Sequence, residues 1–357
     1  MRILGVGSTT APPVVTAAAV ATGSSFPPAS APGGIAHPSA PIPVQGPPLG
    51  AALRVPLGET GLRVFPLVLG GSEFGWHVDL DGSHGILDRY VGLGGNALHT
   101  ADSYASGRSE HIIGQWLASR GVRDEMVVAT RVGAHADHPG LGPVNLVRAV
   151  EASLRRLGTD RIDVLYLDGG SDAATPLDDT LATAEWLVET GKVRALGAFG
   201  FGPEQLVEAR ILSSAGYPRL TVLDAPYNVL RRGDFEGDLR LVAGAQSMAV
   251  TPSHALQHGF LSGRHRSRSR AGLGVRGSQL ISSLNRRGTR ILRALDAVAA
   301  ELGVPDAAVA VAWLLAQKTV VAPIVNAYLP QHVDELVQGV GVRLSRGQLA
   351  ELARAVE

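Results

Sequence analysis

Two side chains that can transfer protons lie five positions apart in the stretch from His99 to Glu110. The imidazole of His99 titrates near neutral pH and can act as an acid or as a base. The hydroxyl of Tyr104 can donate a proton or bind an oxyanion. Together these two residue types indicate acid–base chemistry on a small molecule.

The elements that position these side chains are predicted from short apolar runs that alternate with amphipathic segments. We expect eight strands that are buried on both faces, over residues 68–70, 97–99, 126–131, 162–168, 193–199, 220–224, 248–251 and 320–323. Helices are predicted over residues 146–157, 180–189, 291–302 and 306–316. This alternation, over about 300 residues, predicts an α/β fold, a (β/α)8 TIM barrel. A doubly wound sheet is the alternative, but no G-x-G-x-x-G pattern follows the first strand.

The chain divides into two parts by composition. Residues 1–50 are rich in Pro, Ala, Ser, Thr and Gly and show no periodicity, which predicts a disordered low-complexity extension. The run over residues 14–22 also resembles a weak signal-peptide core, and a secretion signal is the alternative. Residues 51–357 are assigned to the barrel, which opens with a β-hairpin formed by residues 53–57 and 62–65.

Polar side chains follow several of the predicted strands at the point where each strand ends. In a (β/α)8 barrel the carboxyl ends of the strands form the active site. His99, Arg131, Asp168, Phe199 and Asp224 lie at or near these ends. Arginine stays charged and prefers a planar contact with a carboxylate, so we expect Arg131 to pair with Asp168 across the barrel mouth.

Short motifs spread along the chain are similar to motifs of one enzyme family. They include Gly107-Arg108-Ser109-Glu110, Thr190-Gly191-Lys192-Val193-Arg194, Pro226-Tyr227-Asn228 and Gly259-Phe260-Leu261-Ser262-Gly263. With these motifs, the chain from about Leu53 to Glu357 resembles the aldo-keto reductases. The resemblance implies the aldo-keto-reductase type of barrel, including the opening hairpin.

The resemblance also assigns catalytic positions. The family uses an aspartate, a tyrosine, a lysine and a histidine, and the tyrosine gives a proton to the substrate carbonyl. By resemblance Tyr104 is this tyrosine, whereas His99, Arg131 and Asp168 stand at the positions of the aspartate, lysine and histidine. The four side chains still comprise a phenol, an imidazole, a cation and a carboxylate, but the imidazole and the carboxylate have exchanged positions relative to the family. We expect these four residues to be catalytic.

The positions that hold the nicotinamide cofactor in the family are changed in this chain. By resemblance, Phe199 and Gly200 replace a Ser-Asn pair that binds the nicotinamide amide, and Asp224 replaces a glutamine with the same role. The aromatic residue that stacks on the nicotinamide ring aligns with His254. These changes predict that no cofactor is bound; NADPH is the alternative.

Other residues are assigned to substrate binding. Trp76 and His77 follow the first barrel strand and are predicted to contact the substrate, together with the mouth residues Phe199, Asp224 and His254. No metal site is expected, because the His135–His138 loop has no further ligand placed by spacing.

Three functions are compatible with these residues. The first is a cofactor-independent acid–base enzyme, a cyclase, dehydratase or isomerase acting on a carbonyl-bearing intermediate of natural-product biosynthesis. In this interpretation His99 or Asp168 takes a proton and Tyr104 donates one. The alternative is an NADPH-dependent carbonyl reductase with a divergent set of catalytic residues. The second alternative is a non-catalytic protein that binds a small molecule.

Composition limits the partners. The 32 basic and 32 acidic residues give zero net charge, so electrostatics provide no case for nucleic acid. The chain has no cysteine, which excludes disulfides and thiolate chemistry. No apolar run is long enough to predict a membrane span. We expect a cytoplasmic, bacterial protein whose partner is a small-molecule substrate.

Overall fold

The strands of the protein lie close to their predicted positions. The computed structural model describes residues 53–172, 174–267 and 277–356, so the predicted disordered extension lies outside the described residues. These described residues contain ten strands: β1 (Val55–Pro56), β2 (Arg63–Val64), β3 (Val68–Gly70), β4 (Ala97–Ala101), β5 (Val127–Val132), β6 (Ile162–Asp168), β7 (Val193–Phe199), β8 (Leu220–Asp224), β9 (Ala249–Val250) and β10 (Ile324–Val325). β1 and β2 form the predicted antiparallel hairpin.

The other eight strands form one parallel sheet, in the order β10-β3-β4-β5-β6-β7-β8-β9. Its two edges are joined by backbone hydrogen bonds from Val250 N–H to the Thr319 carbonyl (3.1 Å) and from Val321 N–H to the Val250 carbonyl (2.9 Å). We call this junction, residues 249–252 and 319–325, the seam. The sheet therefore curls into the predicted (β/α)8 barrel.

Helices alternate with these strands and cover the outside of the barrel. They are α1 (Leu80–Gly92), α2 (Arg108–Arg120), α3 (Pro143–Leu157), α4 (Leu177–Glu189), α5 (Pro203–Ser214), α6 (Asp238–Ala245), α7 (Gly277–Ser283), α8 (Arg286–Leu302), α9 (Asp306–Leu315), α10 (Pro330–Gly341) and α11 (Arg346–Arg354). α3 ends at Gly158, which is left-handed with φ 63°, as expected for a glycine at a helix C-terminus.

One strand is displaced from its prediction. The eighth barrel strand was expected over residues 320–323, whereas β10 begins at Ile324. Pro323 has no N–H to donate, and its carbonyl accepts from Val68 N–H (2.9 Å) before the paired residues Ile324 and Val68 begin the ladder. Val321 bonds to the opposite edge of the sheet. The first residues of the apolar run therefore form hydrogen bonds across the seam, and the strand begins only after them.

The hairpin closes one end of the barrel. Leu57, Leu62 and Val64 are buried in a cluster with Val68 and Ala97, which belong to the amino-terminal part of the barrel wall. A second and larger cluster lies between the sheet and the surrounding helices. With the amino-terminal end covered in this way, the carboxyl ends of the strands are left to form the functional site.

In the described part of the chain no single helix has the length and hydropathy of a membrane span. Among the helices of the described ranges, only α8 and α9 taken together meet that test, and they are bent by 95° at the break between them.

Gly114 in α2 provides a stability test of this packing. A Cβ at Gly114 would lie 2.6 Å from the carbonyl oxygens of both Arg156 and Leu157 at the end of α3. We expect Gly114→Ala to lower the free energy of unfolding by about 2–3 kcal/mol, because backbone must shift to admit the methyl group. Urea unfolding of the purified protein measures this change.

Gly92 in α1 is the matched control, because a Cβ at this position would meet no described neighbour within 4 Å. Gly92→Ala is expected to stabilise the protein by up to about 1 kcal/mol through reduced freedom of the unfolded chain. Equal midpoints for the two variants would show that α2 and α3 do not pack as closely as described.

Candidate active site

The register of the strands brings the predicted residues to one level of the barrel. Asp168, at the end of β6, pairs with Phe199 of β7, and Phe199 pairs with Asp224 of β8. Ala101 of β4 pairs with Arg131 of β5. Parallel strands that end at the same level present their last side chains to a common space.

A cavity of about 680 Å³ occupies this space. His99, Tyr104, Arg131 and Phe199 line one part of it, which we call the mouth. The wall continues along residues 253–259, which follow β9. A further part is lined by Arg264, His265, His332 and Glu335, which we call the basic end. The volume lies within the range of cavities that bind organic ligands of substantial size.

Tyr104 stands on a strained turn between β4 and α2. The turn spans Tyr104–Gly107, and Ala105 and Ser106 in it are left-handed, with φ values of 50° and 56°. Non-glycine residues rarely adopt this conformation, and it persists only where the surroundings enforce it. Gly107, at φ 85°, packs so closely on Arg156 that a Cβ would lie 2.6 Å from the arginine side chain. The turn therefore fixes the tyrosine at the cavity.

Arg131 lies between two aromatic rings. Its guanidinium carbon is 4.0 Å from the centroid of the Phe199 ring and 5.5 Å from that of the Tyr104 ring. Its Nε is 3.5 Å from Asp168 Oδ2, so the expected ion pair is present. This Nε is buried without a hydrogen-bond partner among the described residues. The cation is thus held in place by the rings and the carboxylate, and it faces the phenol.

Asp168 is itself largely buried. Burial raises the pKa of its carboxyl, whereas the positive charge of Arg131 and the N–H groups of Gly170 and Ser171 act in the opposite direction. The side chain is not part of the cavity wall, which places it as a support for Arg131.

His99 and Asp224 form a second buried pair. His99 lines the mouth, and its Nε2 lies 3.9 Å from Asp224 Oδ2. Neither ring nitrogen of His99 has a hydrogen-bond partner in the described residues. Burial, with a smaller effect of the Arg131 charge, lowers the pKa of His99 to about 3, so the imidazole is neutral. Burial also raises the pKa of Asp224 to about 6.

The structure brings most of the predicted site residues together. Tyr104, His99, Arg131, Phe199 and His254 line the cavity. Asp168 and Asp224 lie behind Arg131 and His99, respectively.

Trp76 and His77 lie outside the cavity wall, next to it. His77 Nδ1 is 2.7 Å from Glu73 Oε2, and Glu73 lines the cavity. Glu73 was not predicted, and neither were the cavity residues Arg264, His332 and Glu335. The acidic residue directly after Gly71-Ser72, at a barrel-strand end, is the signal that could have indicated Glu73.

Comparison with known proteins identifies the family. The sequence model of the Aldo/keto reductase family matches residues 66–357. The chain belongs to this family. It is 33% identical to the aldo-keto reductase ausK of Emericella nidulans, over 84% of this chain and 80% of that protein. It is 30% identical to a putative aryl-alcohol dehydrogenase of Saccharomyces cerevisiae, over 85% and 86%. It is 28% identical to norsolorinic acid reductase B of Aspergillus parasiticus, over 83% and 82%.

Two predictions from the sequence are corrected by these relatives. Aldo-keto reductases of this similarity are named as reductases and dehydrogenases, so the expectation of a cofactor-independent cyclase, dehydratase or isomerase was wrong. The expectation that no cofactor is bound was wrong for the same reason, because the family normally uses NADPH. These three relatives are fungal, so they give no support to a bacterial source.

The cavity of this aldo-keto reductase carries polar and charged groups at both of its ends. At the mouth, Tyr104, Arg131 and His99 line the wall beside the Phe199 ring. At the basic end, Arg264 donates to Glu335, which leaves further guanidinium donors for a phosphate. His265 and His332 line the same end. The groups that would hold NADPH are therefore present, although they differ from those implied by the resemblance.

Proposed function

We propose that this protein is an NADPH-dependent oxidoreductase that interconverts a carbonyl group and an alcohol on a small organic molecule. The observation that carries the proposal is the joint placement of Tyr104 and Arg131 in one cavity of a barrel from this family. The names of the relatives, which include reductases and an aryl-alcohol dehydrogenase, support the same chemistry.

The mouth supplies the proton transfer that such a reaction needs. NADPH, when bound, supplies a hydride to the carbonyl carbon. Tyr104 donates its hydroxyl proton to the carbonyl oxygen in reduction and takes a proton back in the reverse direction. The guanidinium of Arg131 faces the phenol ring and stabilises the negative charge left on it. Asp168 and Phe199 hold that guanidinium in position.

His99 adds a second hydrogen-bond donor to the mouth. Because its imidazole is neutral, one ring nitrogen carries a hydrogen that can be donated and the other is an acceptor. A neutral imidazole that donates to a carbonyl oxygen polarises the bond without giving up its proton. Asp224 lies behind it, with its Oδ2 3.9 Å from Nε2 and beyond hydrogen-bond distance.

The test combines cofactor binding with turnover. The purified full chain is titrated with NADPH by calorimetry and then assayed for oxidation of NADPH with 4-nitrobenzaldehyde. We expect binding in the micromolar range and turnover that requires the aldehyde. Two results together would overturn the proposal. One is no heat of binding up to about 1 mM cofactor, which corresponds to an affinity weaker than about −4 kcal/mol, and the other is no turnover.

Arg264 at the basic end should contribute to cofactor affinity. We expect Arg264→Ala to weaken NADPH binding about tenfold, because a charge-assisted hydrogen bond to a phosphate is lost. Arg266→Ala is the matched control: this arginine lies two residues further along, is bound to Asp296 and Asp306, and does not line the cavity. Calorimetry measures the NADPH affinity of both variants. If the two variants lose equal affinity, the phosphates do not bind at the basic end.

A further inference from the structure

A second cavity, of about 450 Å³, lies beside the opening hairpin. It is lined by the hairpin and Pro66, the carboxyl end of α9, the seam, and the end of α10 with the segment that follows it. We call it the hairpin cavity. In the described part of the chain it shares no lining residue with the cavity of the active site. Its volume lies within the range of cavities that bind small organic ligands, so it is a separate candidate site.

The wall of the hairpin cavity is aliphatic. Twelve of the thirteen described residues that line it are alanine, valine, leucine or proline, and none of the thirteen is aromatic. Val55, Val321 and Val342 in this wall are only half-buried. Covering such apolar surface is favourable, and a wall without aromatic rings gives a flat ligand nothing to stack on. The wall therefore favours an aliphatic chain over an aromatic ring.

Arg343 is the one charged side chain among the described residues of this wall. It forms no ion pair with a described acidic residue, and its hydrogen bond within the described chain is a long one, from Nη1 to the Val340 carbonyl at 3.4 Å. The side chain is exposed, as is usual for an arginine whose stem covers apolar surface while its head reaches water. A guanidinium has five N–H donors and prefers a planar contact with a carboxylate. The rim of the cavity therefore offers a partner for an anion.

We propose that the hairpin cavity is a binding site for an aliphatic carboxylic acid. The hydrocarbon chain occupies the apolar cavity, and the carboxylate accepts hydrogen bonds from Arg343 at the rim. Charge complementarity decides between this ligand and an alcohol of the same length, because only the acid forms an ion pair with the guanidinium. The site lies outside the active site, so the inference goes beyond the proposed function and does not depend on it.

Calorimetry with straight-chain acids tests the proposal on the full chain. The purified protein is titrated at about pH 7.5, where the acids are ionised, with hexanoate, octanoate and decanoate below their micellar concentrations. We expect the affinity to rise about tenfold from each acid to the next, because two more CH₂ groups are buried. Decanol, which has no charge, should bind about tenfold more weakly than decanoate. An affinity that does not depend on chain length would contradict burial of the chain in the cavity.

Removing the charge of Arg343 tests the contact at the rim. Arg343→Gln should weaken decanoate binding about tenfold and change decanol binding by less than about twofold. Arg346→Gln is the matched control, since this exposed arginine at the start of α11 does not line the cavity. It should change neither affinity. Decanoate affinity that is the same in Arg343→Gln and in the parent would overturn the proposal.

Filling the cavity tests its apolar part. Ala316 lines the cavity, is exposed, and directly follows α9 with φ −77° and ψ −11°, a backbone conformation that any larger residue adopts. Ala316→Trp should lower decanoate affinity by at least about tenfold, because the indole takes the space of the chain. Ala350→Trp, at an exposed position of α11 outside the wall, is the matched control and should bind decanoate like the parent. The urea midpoint of each variant shows that it remains folded.

The active-site cavity is the competing site for an acid, because Arg264 and His265 line it. Decanoate binding that is lost in Arg264→Ala but kept in Arg343→Gln would place the acid in that cavity and overturn the proposal. No saturable binding of any of the three acids by the full chain, as when residues before Leu53 cover the hairpin cavity, would overturn it as well. Both results leave the proposed oxidoreductase activity intact, since that activity is measured with NADPH and an aldehyde.

Discussion

Replacing Tyr104 by phenylalanine is expected to lower kcat for aldehyde reduction by about 10²- to 10⁴-fold, the usual contribution of a positioned general acid. The substitution removes one hydroxyl and leaves the ring that packs 5.5 Å from the guanidinium of Arg131. The affinity for NADPH should therefore stay within about twofold. Steady-state kinetics and calorimetry on the same preparation measure the two quantities.

Tyr217 provides the matched control. It is partly buried against the helical core, is not part of the cavity wall, and follows α5 on the outside of the barrel. Tyr217→Phe should leave kcat unchanged. A Tyr104→Phe variant with kcat within about threefold of the parent would mean that another group protonates the carbonyl.

Asp224→Asn is expected to raise the free energy of unfolding at neutral and alkaline pH and to impair the catalytic function of the mouth. Burial raises the pKa of Asp224 from 3.8 to about 6, so folding favours the protonated carboxyl. The stability that this group contributes is present below pH about 4 and is lost as the pH rises to about 6. Above that pH the buried carboxylate destabilises the fold by up to about 3 kcal/mol. The asparagine removes this cost and keeps an oxygen for Ser253 N–H.

The measurement is urea unfolding at about pH 4 and about pH 8. We expect Asp224→Asn to gain about 1–3 kcal/mol over the parent at the higher pH and almost nothing at the lower pH. Asp163→Asn is the contrasting variant, since this equally buried carboxylate binds Arg123 (2.9 Å) and Arg194 (3.0 Å). It should lose about 3 kcal/mol, because two guanidinium groups lose their partner. A gain for Asp224→Asn that is equal at both pH values would exclude titration of this group as its cause.

Much of the barrel could be predicted from the sequence because buried parallel strands are short apolar runs with clear ends. β6, β7 and β8 begin and end where the apolar pattern predicts. The helix over residues 146–157 extends back to Pro143, since a proline in the first turn is not visible to hydrophobic periodicity. β10 lies after its predicted position. Apolar character does not show to which edge of the sheet each residue of a run will form its hydrogen bonds.

The same reasoning places His99 and Arg131, because a strand end fixes where a side chain points, and both line the cavity. Tyr104 lies in the turn after β4 and is assigned by the resemblance rather than by a strand end. The sequence did not indicate the basic end. Arg264 lies in a loop and His332 at the start of a helix, and neither position fixes the direction of a side chain as a strand end does. The expectation that no cofactor is bound rested on changes at single contact positions, and the cofactor use of the family overturns it.

The seam also has the shortest ladders of the barrel wall. Strands β9 and β10 contribute only two residues each, whereas β6 and β7 contribute seven. A short ladder opens locally at a smaller free-energy cost than a long one. The wall formed by residues 253–259 leaves the barrel directly from this seam. Local opening is therefore expected to cost least at the seam, on the side of the barrel away from β5 and β6, which carry Arg131 and Asp168.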